Sequence, residues 1–170
     1  MTQRNYEEVL KEFLAAREWE DALEVNEEEG KVVLSTSITV SEQPGCRLIV
    51  EAFNESRLVD VCIYYTLKCK SSKHAEMCVL LNELNCRSNY GKFQCFREGG
   101  HVRWMHRVDF DGSSPTGQSI EFIVGPAWNI AGHFAEPIAA VALTKQTAVE
   151  ALKEFDEAQQ NESPAAPSDL

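Results

Sequence analysis

Two very short connections between three alternating runs constrain this chain more than any other feature. Residues 31–40, KVVLSTSITV, set Val32, Leu34, Thr36, Ile38 and Val40 against Val33, Ser35, Ser37 and Thr39, the period-two signature of a strand with two unlike faces. Residues 46–53, CRLIVEAF, and 58–67, LVDVCIYYTL, read as two further strands. Ser41 to Gly45, with the breakers Pro44 and Gly45, joins the first pair, and Asn54 to Arg57 joins the second. A parallel crossover needs about a dozen residues or more. The three runs must therefore form an antiparallel meander.

Helical periodicity flanks this meander. Tyr6, Val9, Leu10, Phe13 and Leu14 recur at helical spacing, with Glu7, Glu8, Lys11 and Glu12 on the other side. The charged stretch from Trp19 to Gly30 is expected to end as a loop. Residues 73–85, KHAEMCVLLNELN, form a second helix with Met77, Leu80, Leu81 and Leu84 inward, and Ser71 or Ser72 is its expected N-cap. The period returns to two over 92–97 and 101–110, a hairpin turning at Glu98-Gly99-Gly100. There Val102, Trp104, His106, Val108 and Phe110 share one face, and His101, Arg103, Met105, Arg107 and Asp109 the other. A third helix starts at about 118, with a kink expected at Pro126. The last helix begins near Thr147, which stands at capping-box spacing from Glu150. The expected architecture is an α+β fold in the order α-βββ-α-ββ-α-α, with helices mostly on one face of an antiparallel sheet.

With 170 residues the chain suits one domain with a real core. We place that domain at 1–158 and expect a disordered acidic tail over 159–170, where Pro164 and Pro167 leave nothing to bury. No apolar run reaches the roughly 20 residues a membrane span requires. The N-terminus shows no basic segment followed by an apolar one, so a cytoplasmic protein is expected. Five of the six cysteines, Cys62, Cys69, Cys78, Cys86 and Cys95, lie in apolar segments, as reduced thiols acting as small hydrophobes do. A net charge of −11 disfavours nucleic acid and anionic membranes, whose recognition needs clustered Lys and Arg. The acidic excess near the N-terminus serves solubility or, on a sharper reading, attracts a basic partner segment.

The chemistry-bearing residue types do not assemble into a motif. The cysteine pairs Cys62/Cys69 and Cys78/Cys86 are too widely spaced for a zinc knuckle, and His101 and His106 point to opposite faces of one strand. Neither a dinucleotide-binding fingerprint nor a phosphate loop is present. Cys95 and His106, on neighbouring strands of the hairpin, come nearest to a nucleophile and its base. We therefore expect no catalytic residue, no metal and no cofactor.

HAEMCVLLNELN at 74–85, then GKFQCFREGGHVRW at 91–104, then a helix after the Ser-rich loop Ser113 to Ser119, resemble the bacterial YbjN family of sensory-transduction regulators. In that family a helix ends in a Leu-Asn pair, here Leu84-Asn85. A strand opening Gly-x-Phe follows, here Gly91 and Phe93. The family is similar in fold to type III secretion chaperones, so the resemblance implies a dimeric, cofactor-free module that binds a protein client or regulatory partner. On that reading Tyr6, Leu10, Phe13 and Trp19, with an exposed strand of the sheet, hold an extended or helical client. Met77, Leu80 and Leu84 lie at the homodimer interface. The alternative is a small-molecule sensor with a pocket between sheet and kinked helix, around Trp104, His106 and Trp128. Tyr64 and Tyr65 straddle the third strand, so one of them must face solvent or an interface.

Overall fold

A computed structural model gives the fold of residues 4–40 and 45–162. The elements run α1 (Tyr6–Ala16), β1 (Leu23–Asn26), β2 (Lys31–Ile38), β3 (Cys46–Phe53), β4 (Leu58–Lys68), α2 (His74–Arg87), β5 (Lys92–Cys95), β6 (His101–Asp109), α3 (Gly117–His133), α4 (Ala135–Leu143) and α5 (Ala148–Glu162). The six strands form one sheet, ordered β1-β2-β3-β4-β6-β5, with every neighbouring pair antiparallel. The chain is α+β, as its periodicity predicts. The connection at 41–44 lies outside the described residues.

The alternation in the strands sorts side chains onto two unlike faces. Leu34, Val50, Val61, Ile63 and Trp104 are fully buried on the face where α1 meets β2 and α3 packs on β4 and β6. On the other face Ser35, Ser37, Arg47, Thr66 and Arg107 are exposed. We call these the covered and the open face.

Local chemistry fixes α1 to the turn between β3 and β4. The Tyr6 amide donates to Asn54 Oδ1 at 3.0 Å, and its hydroxyl donates to the Arg57 carbonyl at 3.1 Å. The buried Arg57 guanidinium stacks 4.5 Å from the Tyr6 ring centroid, a favourable seat for a cation deprived of water. Arg17, at the other end of α1, forms a two-bonded pair with Glu121 of α3, both bonds 2.7 Å.

The Leu84-Asn85 and Gly-x-Phe signatures find their reason in packing. Leu84 is buried, while the Asn85 carboxamide accepts from the Phe93 amide at 2.7 Å and donates to the Phe93 carbonyl at 3.1 Å. Gly91 has φ +66°, and a Cβ there would lie 2.0 Å from the Trp104 ring. Only glycine tolerates both the backbone and the indole.

Several expectations are corrected. The stretch Trp19 to Gly30 ends in a turn over 27–30, but within it Leu23–Asn26 pairs with β2 as a strand beyond the three of the expected meander. Its side chains are at most half-buried, so it carries no apolar alternation. Pro126, where a kink is expected, lies within the continuous α3. Pro126 and Phe122, whose carbonyl loses its intrahelical donor, both stand on the exposed side. The break comes at Phe134, buried among Phe93, His133 and Phe155, and it opens α4, a helix the periodicity did not separate. Ser71 and Ser72 form a 3-10 turn before α2 and give it no side-chain cap. Thr147 and Glu150 do form the reciprocal capping pair at α5. Helix α5 continues to Glu162, past the domain end expected at 158. The rest of the expected tail lies outside the described residues.

Candidate functional site

The structure draws most of the sequence-predicted binding residues inward. Tyr6, Leu10 and Phe13 are fully buried under the sheet, so the apolar stripe of α1 is spent on the chain's own core and offers no surface to a client. Introducing Glu at Phe13 would test folding before binding. Trp19 is half-buried, edge-on to Phe13 at 5.9 Å and 6.2 Å from Trp128, with the Arg17 guanidinium 5.1 Å from its ring. Met77, Leu80 and Leu84 are likewise fully buried within the protomer. The exposed side of α2 carries Val79, which lines a surface hollow with Val149 and Leu152 of α5. Nor do Trp104, His106 and Trp128 form one cluster. Trp104 and His106 stack with Tyr90, whereas Trp128 packs on Trp19 and donates to the Thr39 carbonyl at 3.1 Å.

The strongest site is instead on the open face, where β3, β4 and the β5–β6 turn enclose a cavity of about 860 Å³. Strand register builds its floor, with Tyr64 paired to Arg47 on one side and to Arg103 on the other, and Ile49 one step along β3. Of the two tyrosines that straddle β4, Tyr65 is buried and donates to the Ala131 carbonyl at 2.7 Å, and Tyr64 lines the cavity. Phe96, Arg97, Glu98 and His101 supply the far wall. They are held by the bond from the Phe96 amide to the His101 carbonyl at 2.9 Å. The turn requires its glycine: Gly100 has φ +63°, and a Cβ there would meet the Cys69 carbonyl oxygen at 2.0 Å.

Arg103 braces this site. Its Nη1 donates to the Tyr64 hydroxyl at 2.6 Å and its Nε to Gln94 Oε1 at 2.9 Å. The same guanidinium lies 4.8 Å from the Phe96 ring centroid and 5.5 Å from that of Tyr64. Phe96, 37% exposed, is therefore presented by a cation–π contact and not buried in the core. Farther along the face, Asp60 neutralises Arg107 through two bonds of 2.6 Å. Among the described residues Arg47 and Arg97 form no ion pair. Two guanidinium groups, Arg47 and Arg97, and one carboxylate, Glu98, thus line an apolar floor in a chain whose net charge is −11.

The pair that comes nearest to a nucleophile and base in the sequence, Cys95 and His106, does not assemble, whereas the exposed Cys78 Sγ lies 3.6 Å from His74 Nδ1, one turn away on α2. Cys95 pairs with Val102, four residues from His106 along β6, so the two are not partners. Burial beside Cys69 pushes the Cys95 thiol up to about 12, and burial raises Cys62 to about 11 and Cys46 to about 12. All three are protonated at neutral pH, which suits packing and opposes attack. His106, stacked 4.1 Å from the Tyr90 ring, has its pKa lowered by burial.

The hairpin alternation puts His101, Arg103 and Arg107 on a shared side of β6, but the client is expected on the α1 stripe with an exposed strand, not in this groove. The signal that points to the groove is the pair of arginines, Arg47 and Arg103, that register sets on either side of Tyr64. Among the described residues, no helix is long and apolar enough to cross a membrane. The family model YbjN, described as "Putative bacterial sensory transduction regulator", matches residues 7–125, more than half of the chain. No curated protein matches it.

Proposed function

The chain belongs to the YbjN family, and from that premise we propose that it is a non-catalytic regulatory adaptor of the cytoplasm that binds a protein partner and acts as a homodimer. The observation that carries this reading is the open-face groove. A cavity of about 860 Å³ with an exposed phenylalanine, a tyrosine and two arginines without ion-pair partners among the described residues has the aromatic and arginine composition of interaction hot spots. The protonated thiols of Cys46, Cys62 and Cys95 and the separation of Cys95 from His106 support a binding role over a catalytic one.

For the homodimer we favour the outer sides of α2 and α5. There Val79 is 52% and Val149 72% exposed, and burying such side chains against a second copy is favourable. Size-exclusion chromatography with light scattering tests this, with a mass near twice 19.1 kDa expected for the wild type. The monomer mass is expected for Val79→Glu with Val149→Glu. A monomeric wild type overturns the dimer.

Affinity capture on the full chain tests the binding role, run beside the double variant Ile49→Asp, Phe96→Asp. A partner retained by the wild type and lost by the folded variant supports the open face. Capture of the same partners by both removes that face from the reading.

A further inference from the structure

The groove's electrostatics name the chemistry of its occupant. Resting on the protein-binding reading above, we infer that the open face takes an acidic segment of a partner protein, with Asp or Glu side chains alternating with apolar ones. An extended segment directs successive side chains to opposite sides. Laid across the strands, such a segment sets its apolar side chains on Ile49, Tyr64 and Phe96, while its carboxylates meet Arg47 and Arg97 at the rim. Guanidinium groups bind carboxylates through two parallel bonds and are more weakly hydrated than ammonium groups. Arg47 and Arg97 spend none of that capacity on carboxylates among the described residues. Asp60, by contrast, already neutralises Arg107, so the guanidinium groups free to take a carboxylate at the rim are Arg47 and Arg97.

Charge elsewhere sharpens the argument. The acidic N-terminal region points by itself to a basic partner. Yet Glu24, Glu27, Glu28 and Glu29 on and beyond β1 stand at the far side of the sheet, separated from the β5–β6 turn by the intervening strands. A general repulsion of anions surrounds a local attraction, and such a field rejects acidic chains that lack the apolar side chains to fill the floor.

The test is fluorescence anisotropy with the full chain and three short labelled peptides alternating Phe with Glu, with Gln or with Lys. The Glu peptide is expected to bind about tenfold tighter than the Gln peptide and more weakly as salt rises. Arg47→Glu with Arg97→Glu is expected to abolish or reverse the preference. Both side chains are exposed, so the variant retains its fold, checked by far-UV circular dichroism. Equal binding of the Glu and Gln peptides, lost on Ile49→Asp with Phe96→Asp, overturns the acidic specificity and leaves the groove as a protein-binding site. Tightest binding of the Lys peptide, or binding of none, overturns the inference, while the capture experiment still decides the wider reading. A change in the chain's own oligomeric mass on reversing Arg47 and Arg97 assigns the groove to a second copy and likewise overturns it.

Discussion

On the covered face, Ile63 of β4 stands beside Trp104 of β6. One residue along each strand, on the open face, Tyr64 stands beside Arg103. The strands and the register are the same; only the side of the pleat differs. The covered set is fully buried beneath α1 and α3, so removing any member leaves a void among close-packed neighbours. The open set is half-exposed and held by the Arg103 bonds and ring contacts, so its members are replaceable without opening the core. One sheet thus separates residues that make the fold from residues free to recognise something else.

The largest expected effect breaks the covered side. Trp104→Ala should cost about 3–5 kcal/mol and lower Tm by about 10 °C, read by thermal denaturation. A change below about 1 kcal/mol would show that the core closes over the loss. A smaller effect comes from His106, at the margin of the same face. Its pKa is lowered by burial, so the unfolded chain takes up a proton that the folded chain resists. Stability is therefore full above about pH 6.5 and declines as pH falls through that value. His106→Gln should flatten this decline in denaturant titrations between about pH 5 and 7. The low-lying carboxylates of Glu12, Glu150 and Asp156, held by Arg4, Thr147 and Arg87, titrate below that window. The smallest effect belongs to the open face. Phe96→Ser should change stability by only about 0.5 kcal/mol while weakening peptide binding. A loss as large as that of Trp104→Ala would erase the distinction between the two sides.

This distinction also explains what could be read from the residues alone. Alternation over 31–40 and 46–53 and the Gly99-Gly100 turn are local, so the meander and hairpin were legible, as was the inner stripe of α2. Strand β1 was not, because its half-exposed Leu23–Asn26 lacks an apolar side and is fixed only by pairing with β2. The break at Phe134 has a local signal in Gly132 and in Pro137, which falls in the first turn of α4, and an aromatic cluster contributed by β5, α3 and α5 packs around it. The groove was hidden as well. Arg47, Tyr64 and Phe96 are far apart in sequence, and periodicity does not reveal which side of a sheet the helices will choose. The α1 stripe was read correctly as apolar, but an apolar stripe looks the same whether a partner covers it or the chain's own sheet does.

The Asn85 carboxamide has a further consequence. Strand β5 is the last of the sheet, and its Phe93 amide and carbonyl face outward, where an incoming strand could dock. Asn85 satisfies both groups from α2, closing that border with a side chain. At the opposite border β1 is only Leu23–Asn26, followed by Glu27, Glu28 and Glu29, and a short strand beside like charges is a poor template for β-sheet growth. The sheet is thereby guarded at both ends against edge-to-edge aggregation, so association is left to the open face and the outer helices.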